Sequence, residues 1–287
     1  MSKILVAGAS GALGYELVKL LHDEEREFCG QIRNPVKHAA LEPYCQDIRV
    51  ADVTDPSTLR RLCEGVDTII STVGNSVSLF TNDTGGFMDI DYQGNLNLLQ
   101  EAKNAGVKRF VYISIFASET SPRMRQGWAQ ELFSRRLMES GLSYTIVKPV
   151  GLFSGLHDLL ILGRKGIVPT LGSGKAVTNP IHQRDLARVI LPVVDTGPEV
   201  MEVGGPEVHS RREVSEWVMD ITGGRDIRVP PWLARRGAHL WRPLKRSIFD
   251  KFRFYTYITT HDMVAPKHGS LLLRPYLEQA YLQMTSR

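Results

Sequence analysis

Three features of this 287-residue sequence predict an α/β fold with a doubly wound parallel sheet. Short, continuous apolar runs alternate with segments of helical period through residues 1–150. A glycine-spaced turn, GASGALG, follows the first apolar run and opens the first helical segment. The composition, 43% hydrophobic and 23% charged, is that of an ordinary globular protein, long enough for one large domain or two joined ones.

Each element has its own warrant. KILVAG (3–8) is apolar throughout, as a strand covered on both faces requires. ALGYELVKLLHD (12–23) places apolar residues at helical spacing. EFCGQI (27–32) and DIRVADV (47–53) read as the second and third strands. DPSTLRRLCEG (55–65) opens with an Asp cap and Pro at the first helical position and closes with Gly, the signals of a helix. DTIISTVG (67–74) is the fourth strand, 85–106 one long helix ending in glycine, and KRFVYISI (108–115) the fifth strand. QGWAQELFSRRL (126–137) is the next helix and SYTIVKP (143–149) the sixth strand. Beyond residue 150 the rhythm loosens. A helix is predicted over 182–194, a strand over 199–205, and a helix from Ser210, whose Ser-x-x-Glu spacing to Glu213 is a capping box. Residues 230–262 hold two tryptophans and several arginines with little periodicity. Two parts are expected: residues 1–150 as a dinucleotide-binding domain, and 151–287 as a small substrate lobe with C-terminal helices, partly interwoven with the first.

The glycines fall at Gly8, Gly11 and Gly14. Without side chains there, with Ser10, Ala12 and Leu13 between them, the backbone can approach a pyrophosphate at a helix N-terminus. The second strand ends in Arg33 and Asn34 with no acid, so a 2′-phosphate is a better match than a bare ribose, and NADP(H) is the expected cofactor. Asp52 and Val53 end the third strand, where an adenine edge would lie; Asp52 is read as an acceptor for the adenine amino group, with a loop cap as the alternative. Thr72, Val73 and Gly74 end the fourth strand, beneath the ribose and nicotinamide. Ser114 ends the fifth, facing the reacting ring.

Other signals exclude classes. The surplus of four positive charges is scattered in pairs such as Arg135-Arg136 and Arg235-Arg236, so no nucleic acid is expected. Cys29, Cys45 and Cys63 have no metal spacing, His182 and Asp185 are too few to hold an ion, and no metal is expected. LGSGKAV (171–177) lacks the glycine and hydroxyl residue of a P-loop. No apolar run reaches the roughly 18 residues of a membrane span. A cytoplasmic protein with no membrane partner is expected.

GASGALG, IRNPVK, MDIDYQGNLNLLQEAKNAGVKRFVYIS, SGLSYTIVKPVGLFS, NPIHQRDLAR and VGGPEVHSRREVSEW together resemble an atypical short-chain dehydrogenase/reductase of the NmrA-like, isoflavone-reductase-like group, over roughly residues 1–225. The resemblance implies a Rossmann-type sheet, a C-terminal lobe over the substrate, and NADP(H) along Gly8–Gly14. It places Arg33 at the 2′-phosphate and Pro149, Val150 and Phe153 near the nicotinamide. It also exposes a departure. The Tyr-x-x-x-Lys pair of typical members falls on Gln126 and Gln130. Gln130 can orient a ribose by hydrogen bonds but cannot deliver a proton.

Three functional readings are open. The first is an NADPH-dependent reductase of a moderately hydrophobic metabolite (an enone, imine or carbonyl), its proton coming from Ser114 through water, from His157, or from solvent. The second is a non-redox isomerase or cyclase on the same fold. The third is a non-catalytic NADP-sensing or assembly protein. A homodimer paired through the helices at 87–105 and 123–140 is an open expectation, and the small-molecule substrate is not legible.

Overall fold

The computed structural model describes residues 2–81, 85–118, 124–233, 236 and 246–286. Two compact units emerge. The first comprises Met1–Asn75, Asp83–Lys148 and Gln183–Glu202; the second comprises Ser76–Asn82, Pro149–His182 and Val203–Arg287.

The first unit is built on strands β1 (Ile4–Ala7), β2 (Phe28–Ile32), β3 (Ile48–Val50), β4 (Thr68–Ser71), β5 (Arg109–Ile113) and β6 (Ser143–Pro149). Strands β7 (Ile167–Leu171) and β8 (Val177–Thr178) belong to the second unit, and β9 (Val200–Val203) returns beside β6. The seven-stranded sheet runs β3-β2-β1-β4-β5-β6-β9, and its registered pairs are parallel. The order reverses between β1 and β4, the switch point where open α/β sheets bind ligands. β1 and β4 are buried at every residue, which explains the unbroken apolar run of β1 and the Ile69-Ile70 centre of β4. Helix α1 (Ala12–Asp23) buries Leu13, Leu17, Val18 and Leu21 at i, i+4, i+5 and i+8. Helices α2 (Asn95–Asn104) and α3 (Arg125–Met138) add Leu98, Leu99, Phe133 and Leu137 to the core, where Tyr112 meets Phe133 edge-on at 4.6 Å. Helix α5 (Gln183–Ile190) packs on α1. The three cysteines are free and buried, and burial pushes the Cys29 and Cys63 thiols up to about 12.

In the second unit, helix α4 (His157–Arg164) and α6 (Arg211–Thr222) enclose Leu160, Val168 and Val218 with α8 (Leu273–Thr285). α6 starts as its sequence predicts, with the Glu213 N–H donating to Ser210 Oγ at 3.1 Å, and ends at Gly223 in the left-handed region. β8 pairs antiparallel with β10 (His209–Ser210), and β7 pairs parallel with β11 (Arg225–Val229). Helix α7 (Arg246–Thr260) completes the unit.

Two elements depart from expectation. The helix predicted over 55–65 is a single 3₁₀ turn, Pro56–Leu59, followed by turns in which Arg61 takes φ +66°. Local side chains compete for its backbone: Asp55 Oδ1 accepts from the Ser57 N–H, and Thr58 Oγ1 donates to the Asp52 and Asp55 carbonyls. The long helix predicted over 85–106 is divided. A π-helical stretch, Met88–Gly94, precedes the α-helical residues of α2.

Candidate functional site

The carboxyl ends of β1 and β4 form the first half of the site. Gly8 takes φ +80°, and a Cβ there would lie 2.7 Å from Thr72 Oγ1. A Cβ on Gly14 would run into the Gly8 carbonyl oxygen. Both glycines are therefore demanded by the protein's own packing. Gly11 is different. A Cβ there would meet only the Gly8 carbonyl oxygen, at 3.2 Å, and its φ of −76° suits any residue. The protein's own packing constrains this place far less than Gly8 or Gly14, and a glycine there leaves the backbone open to the approach of a ligand. Gly11 is also the N-cap of α1 and offers no side-chain cap, so the donor end of this helix is presented bare, as an anion site needs. The residues present thus fit a dinucleotide pyrophosphate.

Two side chains splint this turn. Gln31, buried at 3% exposure, accepts from the Gly8 N–H at 2.9 Å and donates to the Ala51 carbonyl at 2.6 Å, tying the ends of β1, β2 and β3. Thr72 Oγ1 donates to Ala7 O at 2.9 Å and reaches Gly8 O at 3.2 Å. Sequence reading missed Gln31, although a glutamine inside an apolar strand is a visible signal.

The remaining predicted residues fall into distinct settings. Ser10 is half-buried, Ala12 is exposed at the turn, and Leu13 turns inward to the core. Arg33 is exposed past the end of β2, while Asn34 caps the next 3₁₀ turn by accepting from the Val36 N–H. Asp52 Oδ1 accepts from Thr54 N–H and hydroxyl at 2.9 and 2.7 Å, the loop-capping role. Val53 is buried in the core, and its carbonyl accepts from Asn97 at 2.9 Å. Val73 is half-buried and its carbonyl accepts from Asn95; a Cβ on Gly74 would touch Asp91 Oδ1 at 3.3 Å.

The second half of the site is a buried polar cluster. Gln130, 5% exposed on α3, donates from Nε2 to Asp91 Oδ1 at 2.9 Å, and its Oε1 accepts from Ser114 Oγ at 3.3 Å. Ser114 and Gln130, each read from the sequence as a site residue, are thus brought together. Asp91, wholly buried in the π stretch, also accepts the Asn75 N–H on Oδ2 at 3.0 Å. Asn95 links Asp91 O, Val73 O and Ser71 Oγ. The Tyr112 hydroxyl and Gln126 Oε1 are buried with no hydrogen-bond partner among the described residues. Burial first, and Asp91 second, hold the Tyr112 phenol well above its ordinary range, so it stays neutral. Lys148, 8% exposed, follows Val147, whose carbonyl accepts from the Ser114 N–H. Sequence reading missed Asp91 and Asn95. Yet Asp91, Asn95, Leu98, Leu99 and Ala102 stand at i, i+4, i+7, i+8 and i+11, so two polar residues occupy the buried stripe of one helix.

Pro149, Val150, Phe153 and His157 fall in the second unit. Pro149 is buried, and the Val150 N–H donates to Val203 O. Phe153 is 1% exposed, its ring edge-on to His182 at 5.6 Å, so it is part of that unit's core. His157 Nε2 shares a 2.8 Å hydrogen bond with the Tyr276 hydroxyl, and burial lowers its pKa against the opposing pull of Asp158.

A bare helix N-terminus after β1, a glycine turn open to the approach of a ligand at Gly11, and a strand order reversing beside it define a nicotinamide-dinucleotide-binding protein of Rossmann type. Residues 8–196 match the NAD(P)H-binding family, and the chain belongs to it. Among relatives, it is 30% identical over 235 residues to the NAD(P)H azoreductase of Xenophilus azovorans, covering 78% of this chain and 75% of that one. It is 27% identical over 282 residues to sterol demethylase protein B of Methylococcus capsulatus, covering 86% and 83%. It is 33% identical over 153 residues to the photosystem II assembly factor Ycf39 of Cyanophora paradoxa, covering 53% of this chain and only 46% of that one. The chain thus spans about half the length of that relative. The fold matches that of the Escherichia coli quinone oxidoreductase QOR2 solved with NADPH, at 17% identity and a TM-score of 0.73, over 98% of this chain and 99% of that one. No helix among the described residues is long and apolar enough to cross a membrane.

Proposed function

We propose that this chain is an NADPH-dependent reductase of a moderately hydrophobic small metabolite whose acceptor is an enone, imine or carbonyl. The observation that carries this reading is Gln130, a neutral amide buried between Asp91 and Ser114, at the position where the resemblance to short-chain dehydrogenases puts the lysine place. A nicotinamide bound here would supply the hydride. Gly8, Gly11 and the start of α1 would hold the pyrophosphate, and Arg33 is assigned to the 2′-phosphate. Asp91 fixes the Gln130 amide, which keeps one N–H and one lone pair for a ribose hydroxyl or the acceptor oxygen. An amide positions but does not titrate. The reaction therefore suits acceptors that take hydride at an electron-poor conjugated atom and gain their proton afterwards, from solvent or through Ser114 and water. The azoreductase relative and the quinone oxidoreductase fold neighbour act on acceptors of that character by their names, which supports the assignment.

A second reading, a non-redox or NADP-sensing and assembly role, is favoured by the Ycf39 relatives and by the Gln130 amide being already engaged on both atoms. The deciding experiment is single-turnover oxidation of bound NADPH, followed by absorbance, with a quinone, an azo dye, an enone and a cyclic imine. Oxidation by one of them is expected. Tight NADPH binding with no oxidation by any acceptor would reject the reductase assignment.

A further inference from the structure

We propose that the outer face of the β7–β11 ribbon, with the turn after it, is a docking surface for an anionic lipid bilayer. The inference stands on the second unit alone and is independent of the reductase assignment.

The ribbon has two unlike faces. In a parallel pair, registered partners point to the same side. Val168 and Thr170 are buried and define the inner face. Ile167, Pro169 and Leu171 point the other way, registered with Arg225, Ile227 and Val229. On that outer face Ile167 is 41% exposed and Ile227 44%. The chain then leaves β11 through Pro230 and Pro231 and presents Trp232 and Leu233, 58% and 48% exposed. Four large apolar side chains on one ribbon and its exit turn are more than scattered surface residues.

The charge on that outer face is positive. Arg225, registered with Ile167, and Arg236 are exposed, and the Arg236 guanidinium lies 5.9 Å from the Trp232 ring centre; Arg228 registers with Thr170 on the other face, where its Nε donates to Asp226 Oδ2 at 3.2 Å. Read as sequence, residues 225–246 carry seven basic side chains and one acidic, a surplus of six. The whole chain has a surplus of only four, so the rest of the protein is net acidic. The segment PPWLARRGAHLWRPLKR holds two of the four tryptophans, each beside a leucine and close to arginine. Aromatic and aliphatic side chains interleaved with arginine match the headgroup boundary of an anionic membrane: the apolar groups enter the acyl edge while the guanidinia meet phosphates. A nucleic acid offers the same negative charge but no aliphatic phase for Ile167, Ile227 and Leu233. That difference selects lipid over a polyanion.

The test is co-sedimentation of the full-length protein with phosphatidylcholine vesicles, with and without phosphatidylglycerol, alongside a duplex DNA binding assay. Binding to the anionic vesicles only, weakening as salt is raised, is expected. The double variant Arg225→Gln, Arg236→Gln should weaken it about twenty-fivefold, roughly fivefold per arginine. Trp232→Ala with Leu233→Ala should weaken binding while leaving a salt-sensitive remainder. Both variants should bind NADPH as the parent does, which reports that the chain is folded. No binding to anionic vesicles at low salt would overturn the proposal. So would equal binding to both vesicle types, unchanged binding by the folded variants, or binding to DNA without binding to vesicles.

Discussion

The glycine turn at Gly8–Gly14 and the polar cluster around Asp91 serve one unit of the fold by opposite means. The turn works through missing side chains: two glycines are required by neighbouring atoms, and the third is the least constrained by them, meeting one backbone oxygen at 3.2 Å. The cluster works through side chains that satisfy each other, drawn from β4, the π stretch, α2, the end of β5 and α3. A site made of absence tolerates almost nothing added, whereas a site made of mutual satisfaction tolerates almost nothing removed.

The sharpest way to break this contrast is to add a side chain to the turn. Gly11→Val should abolish NADPH binding and lower the melting temperature far less than a change at Gly14, because its Cβ meets only the Gly8 carbonyl oxygen, at 3.2 Å. Gly14→Ala should instead destabilise the fold itself, by about 3 kcal/mol, the scale of overpacking against backbone. Calorimetric titration and thermal melts on both variants separate the two. If Gly11→Val binds NADPH normally, the turn is not the phosphate site.

Removal tests the cluster. Asp91→Ala strips the acceptor from the Asn75 N–H and from Gln130 Nε2 at once. Leaving these groups unpaired should cost about 2–4 kcal/mol in urea unfolding. A loss below 1 kcal/mol, taken as about the value of one ordinary hydrogen bond, would mean that the cluster is not holding the structure.

Arg33 adds a charge to the turn's side of the comparison. Arg33→Ala should weaken NADPH by about 1.5–3 kcal/mol and NADH far less, the scale of a charge-assisted hydrogen bond. Equal losses for the two cofactors would remove the 2′-phosphate assignment.

Gln130 sharpens the cluster's side. Gln130→Ala should slow turnover ten- to a hundredfold, about 1.4–2.7 kcal/mol. Gln130→Lys would place an ammonium against Asp91. If proton delivery limits the rate, it should raise turnover and bring in a pH dependence that wild type lacks. A flat pH profile in that variant would show that proton delivery does not limit.

The smallest effect lies outside both regions. Burial lowers the His157 pKa from its ordinary 6.5. The unfolded chain then binds the proton more readily, so stability falls as pH drops below about 6.5 toward the folded value, and is restored above it. Melts at neutral and mildly acidic pH, on wild type and His157→Asn, should show a shallower acid loss in the variant.

The turn was legible because glycine spacing, strand and helix are consecutive in the chain, so residues 3–23 carry the whole motif. The sheet was legible for a similar reason: strands buried on both faces need apolar runs, and those runs stand out. The cluster was only half legible. Ser114 was found through its place at a strand end, and Gln130 through the family spacing that puts it at the lysine place of typical members. Asp91 and Asn95 were hidden because nothing local says that a carboxylate on an apolar stripe will meet an amide 39 residues away. The 55–65 segment misled for the converse reason: its cap signals are real, but Asp55 and Thr58 spend them within a single turn.

The π-helical stretch makes the site depend on how many residues there are, as well as on which. The Asn95 N–H bonds Tyr92 O, and the Asp91 carbonyl is taken by the Asn95 side chain instead. One surplus residue in an α-helix is the usual content of such a stretch. Deleting one residue within 88–94 would let the helix run on unbroken and swing its N-terminal part by about 100° relative to its C-terminal part. Asp91 would leave Gln130 without any residue of the cluster having been changed. A homologue that keeps every polar side chain but is one codon shorter here would have lost the geometry, and an alignment that absorbs the gap silently would count the two sites as the same.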